Sequence, residues 1–389
     1  RVPPLRLAFS RPGFLTFKGP AAATLAASGG LEHALARSLG ASLGRVHEAS
    51  GPITQGEAPG AAGIESASAA VANSPAWTLE TLPQRLVDQV WQVAAGGAYD
   101  QLHVWQRDAA VPGEFGFEPA ATPLAAQLDA ALRRTARQPA LSNPLSTAQP
   151  GQRVLDVVIV EPRQWWIGHH LARTVHGAWP GGIPPLAPPE NMVSRAWLKL
   201  REALLWSGFV LRPGDCWAEI GCSPGGASQA LLELEQRVLG IDPALVAPQI
   251  AAHPRFTHLR MRGAAVRRRE FRHVRFLAAD INVAPSYTLD TVESIVTHPQ
   301  VDIQGLLLTL KLLDWQLFDN LGEYLDRIRS WGFADVRARP VRAGADALQS
   351  SPPALAPSRS CPPAARRTRS SSSTCPSRSR RKGRSPRTS

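Results

Sequence analysis

Residues 217–229 read WAEIGCSPGGASQ, a strand-like run ending in an acid and a hydrophobe, then a turn of small residues, then helix-forming sequence. Side chains are removed from such a turn where something must approach the backbone closely. Gly221, Gly225 and Gly226 permit that approach, and the helix that follows offers unpaired N–H groups at its start. The alternative use of small residues here is tight packing of strand against helix. A second strand signal, RVLGID, ends at Asp242, about 20 positions on, where an acid can accept hydrogen bonds from ribose hydroxyls. Turn and acid together point to a nucleoside-bearing cofactor.

Working outward, residues 190–342 alternate helix and strand signals. SRAWLKLREALLWSGF (194–209) has an apolar stripe at helical spacing, whereas DCWAEIGC, RVLGID, FTHLRM, VRFLAADI, GLLLTLKLL and ADVRARP read as strands. Between them, helices are expected over PGGASQALLELE, PALVAPQIAAH, YTLDTVESIVTH and WQLFDNLGEYLDRIRSWGF. Strands that alternate with helices, several of them continuously apolar, specify a mostly parallel α/β sheet covered on both faces. In such a sheet the turn after the first strand borders the ligand crevice. The spacing GCSPGG is not GxGxxG, and proline interrupts the phosphate cradle, which disfavours a dinucleotide. Adenosylmethionine carries no phosphate and fits better.

The rest of the chain is less regular. Within residues 1–189, LEHALARSLG, TLPQRLVDQVWQVAA and PLAAQLDAALRRTA read as helices, QLHVWQRD as a strand, and RVLDVVIVEPRQWWIGHH as two strands joined at Glu161–Arg163. This is the pattern of an α+β accessory domain, separated from the next by the Pro/Gly-rich WPGGIPPLAPPENMV. The chain opens RVPPL without a methionine, which reads as an incomplete N-terminus. Residues 343–389 are nearly all Ser, Arg, Pro and Ala; they lack the apolar surface to offset chain entropy and read as a disordered tail. The composition changes abruptly near Arg342, as a shifted reading frame would make it change. Residues 351–389 hold nine Arg, one Lys and no acid, so most of the net charge of +12 belongs to the tail and the body is nearly neutral. No apolar run approaches the roughly 20 residues that cross a bilayer, as expected of a soluble chain. Cys216, Cys222, Cys361 and Cys375 have neither zinc nor disulfide spacing, which suits a reducing cytoplasm.

Three segments in order, SRAWLKLREA, GCSPGGAS with GID, and LAADIN with LLLTLKLLDW, resemble the FtsJ-like ribose 2′-O-methyltransferases. RPGFLTFK near the start is closer to the M-type members, which act on 23S ribosomal RNA, than to single-domain ones. The resemblance implies a Rossmann-like class I methyltransferase domain over 190–342 preceded by an RNA-positioning accessory domain over 1–189. It implies S-adenosyl-L-methionine as cofactor, ribosomal RNA as substrate, no metal, and a monomeric cytoplasmic enzyme. Of the family's Lys-Asp-Lys-Glu tetrad it carries over Lys199, Asp280 and Lys311. It gives Ser194, Gly221, Ser223, Pro224, Gly225, Gly226, Asp242 and Asp280 as cofactor contacts. A ribose hydroxyl is a poor nucleophile, so the site must orient it and ease loss of its proton; Lys311 is the expected acceptor, with Asp280 orienting both lysines.

Each residue has a plainer reading. Lys199 fits a solvated helix face, Ser194 an N-cap, and Asp280 a strand end; Lys311 is harder to dismiss, because lysine is rarely buried without a partner. RMRGAAVRRREFRHVR (260–275) holds seven arginines and fits either RNA phosphates or a solvated loop; its place between the cofactor half and Asp280 favours RNA. The chain also departs from the family. Glu219 stands where Asp is usual, the stretch near residue 263 is basic, and Glu323 is the last Glu, so the tetrad's fourth member is missing. Without the strand that should carry that Glu, the sheet is expected to end on an open edge. The competing reading is a catalytically impaired RNA-binding protein, or a decaying product, that keeps the methyltransferase fold; a nicotinamide oxidoreductase is weakened by the GCSPGG spacing.

Overall fold

A computed structural model of the chain describes residues 5–19, 36–48, 81–108, 122–143, 147–173, 175–312, 317, 319–340 and 347–351. Strands β1 (Arg6–Arg11) and β2 (Phe14–Lys18) form an antiparallel hairpin. A four-stranded sheet follows, built from β3 (Ala41–His47), β4 (Gln101–Gln106), β5 (Arg153–Glu161) and β6 (Gln164–Leu171) in the order β3-β6-β5-β4. Helix α1 (Gln84–Ala94) buries Leu86, Val87, Val90, Trp91 and Ala94 on this sheet, a spacing that keeps one stripe inward. Helix α2 (Pro123–Arg134) starts where the Thr122 hydroxyl accepts from the Ala125 amide at 3.3 Å. Central β5 is buried on both faces between its end residues, so the run 154–160 is continuously apolar except for Asp156. The helix expected over 31–40 is not seen where it can be checked: residues 36–40 are irregular and lead into β3, and 31–35 lie outside the described residues.

Helix α3 (Ala196–Ser207) leads into the second sheet. Its elements are β7 (Cys216–Ile220), α4 (Gly226–Glu233), β8 (Arg237–Ile241), α5 (Pro248–Ala251), β9 (Phe256–Leu259), β10 (Phe276–Ala279), α6 (Pro285–Val296), β11 (Gly305–Lys311), α7 (Leu321–Ser330), β12 (Arg337–Pro340) and β13 (Ala347–Ser351). The order is β12-β13-β11-β10-β7-β8-β9; β7 to β11 are mutually parallel, and β13 runs antiparallel between β11 and β12. This is the expected Rossmann-like α/β class. Alternation along the strands supplies both covers. Ala218, Leu277, Leu306 and Leu308 pack on the α6 side, and Trp217, Ala278 and Leu307 on the side of α3 and α4. On the latter face Phe209, Phe276 and Trp217 stack with centroids 5.0 and 4.8 Å apart, each pair adding about 0.5–1.5 kcal/mol beyond its burial.

The end of the sheet corrects the expected edge. Residues 347–351, counted with the tail in the sequence reading, form β13 and fill the place beside β11. ALQSS has no apolar run to announce a strand, and backbone pairing to both neighbours is what places it. The tail beyond residue 351 lies outside the described residues. Among the described residues no helix is long and apolar enough to cross a membrane.

Candidate functional site

The chain leaves β7 toward β8 and β9 on one side and returns to β10 and β11 on the other, so a crevice opens beyond the carboxyl ends of β7 and β10. The turn of residues 221–226 lies there. Gly221 has φ +83°, and a Cβ on it would meet the Asp280 carbonyl oxygen at 2.7 Å. Gly225 is the N-cap of α4 and gives that helix no side-chain cap. A Cβ on Gly226 would overlap the Ser194 hydroxyl.

Ser194 is held over the turn by its neighbours. The Val193 amide donates to Gln229 Oε1 at 2.9 Å and the Trp197 indole to Glu233 Oε2 at 2.8 Å, which ties the start of α3 to α4. Ser194 does not cap α3: that helix has Arg195 at its N-cap and no side-chain cap. Its Oγ is instead buried with no partner. At the end of β8 the Asp242 carboxylate accepts from the Ser223 amide at 3.2 Å and the Ala244 amide at 2.8 Å, which leaves lone pairs to spare. The Ser223 hydroxyl donates to Leu245 O at 2.8 Å and Pro224 O accepts from Ala247 N at 2.9 Å, so both residues brace the loop.

On the α3 side of the sheet, Lys199 Nζ and Lys311 Nζ each lie 3.1 Å from a different oxygen of the Asp280 carboxylate. The three come from α3, the end of β11 and the end of β10. Burial and the neighbouring Lys311 charge hold the Lys199 ammonium below the ordinary lysine range, against the opposing pull of Asp280. Burial pushes the Asp280 carboxyl up, but the two ammoniums outweigh it and hold it below the ordinary range. Lys199 and Asp280 share a cavity wall with Glu219 and Thr309, two residues the sequence reading did not place in the site. The signal was the period of two: Glu219 follows Trp217, and Thr309 follows Leu307, on the face that α3 covers. Glu219 is 3% exposed and accepts from the Ser228 hydroxyl at 2.5 Å; burial drives its carboxyl up to about 8. Strand β13, beside Lys311, carries no acid.

Two other clusters lie apart from the crevice. The arginines of 267–275 sit toward the opposite end of the sheet, because this segment descends to the first residue of β10 while Asp280 follows its last. Arg268 donates to Ser294 O at 2.8 Å near the C-terminus of α6, and Arg275 pairs with Asp215 at 2.7 Å just before β7. Adjacency in sequence to Asp280 is therefore no adjacency to the site. In the four-stranded sheet, buried His103, Asp156 and His170 have a metal-ligating composition. His170, however, faces an acceptor with each ring nitrogen, Asp156 Oδ2 at 2.6 Å and Gly177 O at 2.9 Å. An imidazolium donating twice has no lone pair for a metal.

Residues 192–318 match the family model described as FtsJ-like methyltransferase. The chain is 29% identical over 223 residues to "Ribosomal RNA large subunit methyltransferase M" of Pseudomonas aeruginosa (strain LESB58), covering 55% of this chain and 58% of that protein. It is 31% identical over 160 residues to the protein of the same name from Ectopseudomonas mendocina (strain ymp), covering 39% and 44%. The chain thus spans about half the length of the curated relatives it matches. Among solved structures, Aeropyrum pernix fibrillarin in complex with S-adenosyl-L-methionine aligns with TM-score 0.31 and 12% identity over 50% of this chain and 81% of that one.

Proposed function

We propose that this chain, FtsJ-like over residues 192–318, methylates a ribose 2′-hydroxyl of large-subunit ribosomal RNA using S-adenosyl-L-methionine. The observation that carries the reading is two ammoniums on one carboxylate, 3.1 Å each, beside a glycine turn at the switch point of a parallel sheet. The turn suits the cofactor: Ser194 offers an orphaned hydroxyl, Gly226 leaves no room for a side chain, and α4 presents an uncapped N-terminus suited to a carboxylate. Ser194, Gly221, Ser223, Pro224, Gly225, Gly226 and Asp242 would hold the cofactor, with Asp242 toward its ribose and Asp280 at the edge of the crevice. When bound there, it supplies a methyl group already activated by sulfonium.

The chain's own task is the proton. Asp280 pairs with both Lys199 and Lys311, and the Lys311 charge discourages that of Lys199. Lys199, with its pKa lowered, becomes neutral at less cost than a free lysine and shares with Lys311 the removal of the 2′-hydroxyl proton. The same reading makes the protein a cytoplasmic monomer acting on 23S ribosomal RNA, with the region before residue 190 positioning the RNA. The absence of an acid from β13 favours one alternative, an RNA-binding protein with the fold but without turnover.

One assay separates them. Purified protein is incubated with labelled adenosylmethionine and unmethylated large-subunit RNA, and label is sought in alkali-resistant dinucleotides, which only 2′-O-methylation produces. Label there supports the enzyme; cofactor binding without label defeats it.

A further inference from the structure

Helix α3 presents Lys199 to Asp280 and, one turn later, Glu202 to Arg339 of the edge strand β12. Glu202 Oε1 accepts from Arg339 Nη2 at 2.9 Å, and both side chains are 2% exposed. The same nitrogen reaches Gly182 O at 3.4 Å, and the Arg339 guanidinium lies 5.7 Å from the Trp206 ring of α3. Gly182 belongs to the 3-10 turn Pro180–Gly182. That turn is wedged against the four-stranded sheet: a Cβ on Gly181 would meet Trp105 of β4 at 2.9 Å, and one on Gly182 would overlap the Arg37 carbonyl. Arg37 in turn holds Asp108, just beyond β4, at 2.5 Å. One buried guanidinium therefore touches the Lys199 helix and the turn that rests on the other sheet, while its own backbone is part of β12.

A buried ion pair is an expensive way to fill space, since apolar residues of similar volume are often neutral or stabilising in its place. What it does provide is direction: a guanidinium with fixed donors accepts only one placement of a carboxylate and a carbonyl. The shape of the network matches a demand of the proposed chemistry, in which RNA positioned by the region before residue 190 would have to meet Lys199 with close accuracy.

We propose that Arg339 and Glu202 are positioning residues that set α3, and with it Lys199, against the four-stranded sheet. This rests on the role given to Lys199 above. Removing one member of a buried ion pair is strongly destabilising, so the test uses the paired replacement Arg339→Met with Glu202→Leu, and Arg339→Lys as the conservative variant. With large-subunit RNA saturating, the paired variant is expected to lose about 100-fold in the methyl-transfer rate, the scale of a 1 Å misplacement, while the KM for RNA and cofactor affinity stay within about twofold. Arg339→Lys should recover part of that loss. A second readout does not need turnover. The pH dependence of Lys199 modification by an amine-reactive reagent, read by peptide mass spectrometry, reports its place among Asp280, Lys311 and Glu219. Its midpoint should rise toward an ordinary lysine in the paired variant. A folded paired variant with wild-type rate and an unshifted Lys199 midpoint overturns the proposal. If the wild type transfers no methyl, the functional reading fails, and the Lys199 midpoint alone still decides the positioning.

Discussion

Glu219→Gln isolates a buried acid without disturbing its shape. The amide is isosteric, and its oxygen still accepts from the Ser228 hydroxyl. In the native state burial keeps Glu219 protonated up to about 8, whereas an unfolded glutamate loses its proton near 4.3. Between those values the native state holds a proton that the unfolded state has released, so folding stability falls as pH rises. The stability tied to this proton is fully present below the unfolded value and lost as pH climbs through the native one. At about 1.4 kcal/mol per pH unit the window spans about 5 kcal/mol, a ceiling that local relaxation would reduce. Urea unfolding of wild type and variant at pH 5, 7 and 8.5 measures it. The two should agree within about 1 kcal/mol at pH 5, with the variant ahead by several kcal/mol at pH 8.5. Parallel stabilities across that range would mean that Glu219 is ionised in the native protein, and the assignment of a neutral acid beneath Lys199 and Asp280 would be wrong.

Lys199→Ala and Lys311→Ala should each lower the methyl-transfer rate by about 10²–10⁴-fold with cofactor affinity nearly unchanged; retention of full rate in either removes that lysine from the chemistry. In the wild type the single-turnover rate should rise with pH to a midpoint below the ordinary lysine value of about 10.4, and a midpoint at or above it would contradict the depressed Lys199. Gly226→Ala should abolish adenosylmethionine binding measured by calorimetry, because the added methyl overlaps Ser194 Oγ, and undiminished binding would show that the cofactor does not use this turn. In the other sheet, burial lowers His170 but Asp156 and Gly177 O outweigh it and raise it to about 9. Its stabilisation is then present below pH 6.5 and lost through pH 9, so Asp156→Asn should flatten thermal stability against pH over that window.

The parallel strands were legible because both faces of the sheet are buried. That burial forces runs such as LLLTL in β11, and a lysine ending such a run stands out. The helices were legible from one-sided stripes, and the turn from its glycines. What escaped has physical reasons too. Strands β3 and β13, ASLGRVH and ALQSS, are placed by backbone pairing and carry no alternation of their own. Arg339 reads as a surface residue, since only the folded chain shows that Glu202 waits for it. The arginines of 267–275 lie nearer to Asp280 in sequence than in space, because a segment that precedes a strand enters at the end opposite to the residue that follows it.

The missing acid takes on a definite meaning once the geometry is known. Among the described residues Asp280 is the one ionised carboxylate paired with the two ammoniums, and Glu219 adds no negative charge while it keeps its proton. Burial and the neighbouring Lys311 charge hold Lys199 below the ordinary lysine range, which favours release of its proton. A fourth carboxylate would reduce that push while adding a hydrogen-bond partner to hold the lysines still. On the proposed reading, lacking it weakens orientation and leaves basicity on the favourable side, so methyl transfer would depend on how firmly α3 keeps Lys199 at Asp280. That firmness is supplied in this chain by Glu202 and Arg339, on strand β12, just before the stretch where the composition changes.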